Sequence, residues 1–236
     1  MLIRDKLLSK RLATIYDMVE HGDSIADIGT DHGYLIVALA LDKKTKQVYG
    51  VDNKSAPLSQ AKKTITDANL QNDIELTLVK EEHAYHHVDG WVIAGMGYET
   101  IASIIRQFYE TIKKLKYVIV QANHQIEEFR RFCVANHLEI IDEQIVFDQH
   151  YYQILKVKYT PLQVSYTESE LLLGPKLLEN KVPPFIDYCE HKIRILEDIL
   201  KKLPKDGKKA HDMQKQLELY KNQITEDRKG EYYATK

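Results

Sequence analysis

The 236-residue sequence holds two cysteines, one tryptophan and six prolines, and its charges nearly cancel: 33 Lys and Arg against 35 Asp and Glu leave a net of -2. Two cysteines, Cys133 and Cys189, each inside a helical pattern, exclude a disulfide framework and predict reduced, buried thiols. No apolar run approaches the roughly 20 residues of a membrane span, so no membrane partner is expected. The stretch Met1 to Leu12 mixes Arg4, Asp5, Lys6, Lys10 and Arg11 with leucines. It reads as an amphipathic helix and not a secretory signal, which predicts a cytoplasmic protein. The missing excess of positive charge means that the chain as a whole does not advertise a nucleic-acid partner. A hydrophobic share of 44% with 29% charged residues describes a globular protein.

Strand and helix patterns alternate through the first two thirds. Strands are predicted at 24–28, 46–52, 74–79, 90–94 and 117–121, with helices at 33–41, 57–68, 100–112 and 126–136. The segments 138–147 and 151–159 read as a closing antiparallel pair. Alternation of this kind implies right-handed crossovers and a parallel sheet with its site at the strands' carboxyl ends. Beyond Pro161 the pattern changes. Ile186, Cys189, Ile193, Leu196, Leu200 and Leu203 form one heptad seam; Ala210, Met213, Leu217, Tyr220 and Ile224 form another across a Pro/Gly turn. Two matched stripes predict an antiparallel helical hairpin. The domains expected are therefore 1–160, an α/β domain, and 161–236, a coiled-coil hairpin. Residues 161–236 carry 14 Lys and Arg against 13 Asp and Glu, and Lys201, Lys202, Lys205, Lys208 and Lys209 face only Asp206 at the hairpin tip. The tip reads either as a solvated turn or as a phosphate contact.

The chemistry concentrates in Asp27-Ile28-Gly29-Thr30-Asp31-His32-Gly33-Tyr34. An apolar strand ends in an acid and turns through glycine into a helix, the way a nucleotide-type site opens in a parallel sheet. Dinucleotide folds keep three glycines there; here the middle position is Asp31. Two carboxylates, Asp27 and Asp31, repel a pyrophosphate and suit a cation. S-adenosylmethionine, with a sulfonium and an ammonium and no phosphate, is the ligand this loop predicts. Asp52, 23 residues after Gly29, ends the second strand where a carboxylate accepts ribose hydroxyls, and Tyr34, Asn53 and Gly95 join it as expected donor contacts. Gly95-Met96-Gly97 permits close backbone approach, with Met96 against a flat acceptor ring. Gln121-Ala122-Asn123-His124 closes the fifth strand beside the same cleft. His83, His86 and His87 lack companion ligands, so a solvated loop is expected and no metal. Tyr85 and Glu81 in that loop are expected to border the donor's adenine.

Taken together, Leu8-Ser9-Lys10-Arg11-Leu12, the 27–35 loop, Ile93-Ala94-Gly95-Met96-Gly97, Gln121-Ala122-Asn123, Leu173-Gly174-Pro175 and the terminal hairpin resemble the bacterial tRNA (adenine-N1)-methyltransferase family TrmK. The resemblance implies a class I, Rossmann-like methyltransferase fold, S-adenosylmethionine as cofactor and tRNA as partner, with methyl transfer to N1 of the adenine at tRNA position 22. It makes Asp31 and Asn123 the catalytic residues, and puts Arg11, Met96, Gly97 and the five tip lysines on the tRNA side. A monomer or weak dimer is expected. Lys80-Glu81-Glu82-His83 replaces the family's Gly-Asp-Gly-Leu turn, which makes Glu81 the substitute contact, and Ala122 replaces a proline. The alternatives are a class I methyltransferase acting on another substrate, a non-catalytic donor-binding interaction protein, and an NAD enzyme.

Overall fold

The computed structural model describes residues 4–79, 84–204 and 207–234, the last ten as backbone alone. Glu81 and its neighbours Lys80, Glu82 and His83, and Lys205 with Asp206 at the hairpin tip, lie outside the described residues. The chain divides into two compact units, Met1–Ser165 and Tyr166–Lys236.

The first unit is built on one twisted sheet. Its strands are β1 (Ser24–Ile28), β2 (Gln47–Asp52), β3 (Ile74–Leu78), β4 (Gly90–Met96), β5 (Tyr117–Ala122), β6 (Leu138–Asp148) and β7 (His150–Tyr159). Their spatial order is β3-β2-β1-β4-β5-β7-β6. The first five are parallel, and β7 runs antiparallel to both β5 and β6. Helices α1 (Arg4–Leu7), α2 (Lys10–Met18), α3 (Tyr34–Leu41), α4 (Ser55–Asp67), α5 (Tyr98–Gln107), α6 (Tyr109–Ile112) and α7 (Ile126–Ala135) supply the crossovers and flanks. Parallel strands must be covered on both faces, which explains their continuous apolar runs. Ile15, Ile36, Leu39 and Ile65 from α2, α3 and α4 pack on Ile25, Val48, Ile74, Val92, Ile119 and Ile154. Across the sheet, Ile101, Ile105, Phe129, Phe132 and Cys133 from α5 and α7 are buried. Both cysteines are free and buried, and burial pushes the Cys133 thiol well above its ordinary range.

The structure corrects three expectations. The amino-terminal segment is two helices, because Ser9 takes an extended conformation and its hydroxyl caps α2 by accepting from the Leu12 N–H. The helix expected over 100–112 starts at Tyr98 and breaks at Phe108, which belongs to neither α5 nor α6. Tyr85, expected beside the donor, is 1% exposed. Its hydroxyl donates to the Val79 carbonyl at 3.0 Å and its own carbonyl accepts from Trp91 Nε1 at 3.0 Å, so the ring is core. The His86 ring lies edge-on to Phe108 nearby, at 5.5 Å.

The second unit contains α8 (Glu168–Leu173), α9 (Pro175–Asn180), α10 (Pro183–Leu200) and α11 (Lys208–Ala234). Thr167 and Glu170 form a reciprocal capping box at the start of α8. Helices α10 and α11 pack on each other, with Tyr188 against Tyr220 at 6.1 Å and Cys189, Leu196, Ala210 and Leu217 buried.

An ionic cluster ties α7 to the antiparallel strands. Arg130 Nε donates to Glu143 Oε1 at 2.8 Å and its Nη2 to Gln153 Oε1 at 2.5 Å, with both charged side chains fully buried. Such a pair is worth little against an apolar replacement, but removing one partner strands the other. Glu143→Leu is therefore expected to cost about 3–5 kcal/mol, read as a lower urea midpoint at unchanged slope.

Candidate active site

The register explains why the cleft opens where it does. Strand β1 stops at Ile28, paired with Val51 and Ile93, while β2 and β4 run on to Asp52 and Met96. The chain leaves β1 through Gly29 at φ +86°, and the N–H groups of Gly29 and Thr30 donate to the Val51 carbonyl at 2.6 and 3.2 Å. The left-handed φ at Gly29 disfavours any side chain there, and a Cβ would also force the Met96 methyl, which lies against this position, to move. Asp31 follows at φ +40°, and Gly33 starts α3.

Two adjoining cavities fill the cleft. The larger, about 560 Å³, is lined by Ile28, Asn53, Val79, Ile104 and Phe108 among others. The smaller, about 410 Å³, is lined by Arg11, Asp27, Thr30, Asp31, Tyr34 and Gly95 among others. Gly29, Asp52 and Met96 border both, so the Met96 side chain divides one continuous depression. Asp27 is 7% exposed, and burial raises its carboxyl from 3.8 to about 6. Thr30 and Arg11 pull the other way, while Asp52 adds repulsion. Asp52 accepts the Lys54 N–H at 3.0 Å, which fixes its carboxylate on the shared wall. Asp31 is two-thirds exposed, with His32 Nε2 3.6 Å from its Oδ2.

A polar cross-link holds the far side. Gln121 Oε1 accepts from Arg11 Nη1 at 2.8 Å and from the Gly95 N–H at 3.1 Å. Gln121 Nε2 donates to Asn123 Oδ1 at 3.2 Å, and Asn123 Nδ2 donates to the Gly95 carbonyl at 2.8 Å. Gly95, at φ +76°, makes the bulge between Ala94 and Met96 that turns Met96 over Gly29. Arg11 also stacks over Tyr152 at 5.5 Å, and its N–H donates to Asp148 Oδ2 at 3.1 Å.

Of the expected site residues, the structure gathers Arg11, Asp27, Gly29, Asp31, Tyr34, Asp52, Asn53, Gly95 and Met96 around the two cavities. Asn123 works through its amide on the β4 loop, and Gly97 lies against His124 at the start of α5, neither on a cavity wall. Lys202, Lys208 and Lys209 are exposed, and Lys201 Nζ meets Asp198 Oδ1 at 2.9 Å. Sequence reasoning missed the α5 wall, where Thr100, Ser103, Ile104 and Gln107 face the larger cavity. The signal available was spacing, since Thr100, Ser103 and Gln107 recur at helical intervals beside the core pair Ile101 and Ile105. Arg11, expected on the tRNA side, lines the smaller cavity. Among the described residues on either wall, Arg11 is the sole Lys or Arg.

Residues 8–155 match a family described as a methyltransferase domain. The chain belongs to that family. This methyltransferase domain has relatives whose similarity runs further along the chain. The Bacillus subtilis tRNA (adenine(22)-N(1))-methyltransferase is 26% identical over 223 residues, covering 90% of this chain and 92% of the relative. The structure of M. capricolum TrmK in complex with S-adenosyl-homocysteine is 28% identical with a TM-score of 0.79, covering 93% of this chain and 98% of that one. A Streptococcus agalactiae protein of the NADB-Rossmann superfamily has a TM-score of 0.83 at 25% identity, covering 92% and 97%. The fold is thus the class I, Rossmann-like methyltransferase architecture.

Asp27 gives the site a measurable signature. A native carboxyl at about 6 against an unfolded value near 3.8 binds more protons when folded, so its contribution to stability falls as pH rises through that window. The loss is about 3 kcal/mol once both states are ionised. Donor-free Asp27→Asn is expected to be more stable than wild type at pH 7 and equal to it near pH 3, below the unfolded value, by urea titration at the two pH values.

Proposed function

We propose that the protein is an S-adenosylmethionine-dependent tRNA methyltransferase that modifies N1 of the adenine at position 22. The observation that carries this reading is the acid-walled double cavity at the carboxyl ends of β1, β2 and β4 with Arg11 as its sole described Lys or Arg. A zwitterionic, cationic donor fits that charge pattern. Asp27 and Asp31 suit its ammonium and sulfonium, Arg11 its carboxylate, and Asp52 its ribose hydroxyls. The apolar walls from Val79, Ile104 and Phe108 suit its adenine. A pyrophosphate would meet the carboxylates instead, which disfavours NAD. The relatives named above support both the donor and the acceptor.

When bound, the donor supplies a methyl group activated by its sulfonium. The adenine N1 lone pair forms the new bond to carbon while the bond to sulfur breaks and its electrons stay on sulfur. The adenine ring therefore acquires the positive charge, and Asp31 stabilises it by Coulomb attraction. N1 is unprotonated near neutral pH, so no base is needed to expose it. Gln121 and Asn123 are positioning residues, since they fix the Gly95 backbone and with it the Met96 side chain. Alignment of the two substrates supplies much of the remaining acceleration.

This reading assigns catalysis to residues 1–160 and tRNA contact to the helices of 161–236, whose tip includes Lys201, Lys202, Lys205, Lys208 and Lys209. It describes a cytoplasmic protein acting as a monomer or weak dimer. Purified protein, labelled donor and unmodified tRNA are expected to yield 1-methyladenosine after nucleoside digestion. A different methylated nucleoside, or label in protein alone, would reject the assignment. Asp31→Ala should lower turnover at least tenfold while changing donor affinity, read by calorimetry, less than threefold (about 0.6 kcal/mol). Replacing the tip lysines with alanine should weaken tRNA binding and reduce its salt slope by about one for each phosphate that is no longer neutralised. Donor affinity stays as in wild type.

A further inference from the structure

The turn between β6 and β7 carries a feature that neither the donor site nor the lysine tip uses. Phe147 is 52% exposed, well beyond what a strand-end phenylalanine needs, and its ring meets Tyr151 at 5.0 Å with 59° between the planes. The register sets which way the rings stand. Phe147 pairs with Tyr151, and Val146 pairs with Tyr152. Alternation along a strand then puts Phe147 and Tyr151 on the face that Gln153 shares, where it reaches Arg130 of α7. Tyr152 stands on the opposite face, under the Arg11 guanidinium. The turn is also fixed to the cleft, because Asp148 accepts the Arg11 N–H and Arg11 lines the smaller cavity. Two rings thus stand on the hairpin, and Phe147 is one residue away from a direct bond to Arg11 of the cavity wall. Strand β7 is antiparallel to β5, so this turn lies toward the carboxyl ends of the parallel strands.

We propose that Phe147 and Tyr151 form a stacking platform for an unpaired tRNA base next to the one that is methylated. The inference rests on the tRNA reading above and adds a second, base-contacting surface to it. N1 lies on the pairing edge of adenine, so the target must leave its stack to react, which uncovers the faces of its neighbours. An aromatic face on the turn whose Asp148 bonds Arg11 is available to cover one of them. Stacking of this kind is indifferent to sequence, since every base has a π-face. Two rings, one exposed and one half-buried, match the face of one base.

The test compares wild type with Phe147→Ala/Tyr151→Ala and with Phe147→Trp. The double variant should raise KM for tRNA about tenfold with kcat within twofold and calorimetric donor affinity unchanged; Phe147→Trp should keep KM near the wild-type value. RNA carrying 2-aminopurine beside the target adenine, on each side in turn, should lose fluorescence on binding wild type and keep it with the double variant. Phe147→Ser, at an already exposed position, replaces the double variant if circular dichroism shows that the latter unfolds. Unchanged KM with active wild type overturns the platform and leaves the methyltransferase reading standing. A change of sedimentation from dimer to monomer on substitution assigns the rings to self-association and also overturns it. Wild type that methylates no tRNA removes both.

Discussion

A carboxyl group enclosed at the carboxyl end of β1 governs the cleft. Asp27 is largely buried against the sheet, and its proton affinity rises accordingly. Burial of a lone acid is costly unless something offsets it. Here Thr30 and the Arg11 guanidinium do so in part, and Asp52 works against them. The site is therefore an unfavourable arrangement kept in place by the rest of the sheet. A cationic ligand relieves it, which makes donor binding and local stability two aspects of the same electrostatic imbalance.

The scaffold that sustains this imbalance is made of single side chains with several bonds each. Gln121, fully buried at the end of β5, bonds Arg11, the Gly95 backbone and Asn123 at once. It thereby links the amino-terminal helix to the β4 bulge, and the bulge turns Met96 over Gly29. Shifting any one of these would move the wall between the two cavities. Asn123, through its bonds to Gln121 and the Gly95 carbonyl, belongs to this scaffold.

What was legible in the sequence follows from range. The strand ends, Gly29 and the acids Asp27 and Asp52 are read from neighbouring residues, because a strand-turn-helix is a local event. Arg11 reads from the sequence as a basic residue on the tRNA side, and its bond partner lies 110 residues away. Spacing carries no trace of that contact. The break at Phe108 has no proline or glycine to announce it, and aromatic packing on Trp91 at 5.7 Å accounts for where the ring goes. Tyr85 looked like a loop residue with a polar handle; a carbonyl six residues back satisfies that handle and lets it sink into the core. The platform rings were invisible for a related reason, since alternation shows which residues share a face and not what stands beyond it.

The bond from the Arg11 N–H to Asp148 spans 137 positions, and Lys156 reaches back 138 to the Met18 carbonyl. Helix α2 therefore docks on strands that are synthesised last, and β7 enters the sheet between β5 and β6. During synthesis on the ribosome the five parallel strands can assemble early and α2 can pack on them, but its bonds to Asp148 and Lys156 wait until the final pair emerges. A nascent chain thus completes the anchoring of α2 at the close of translation of this unit, and any fragment ending before β7 lacks the Lys156 tie.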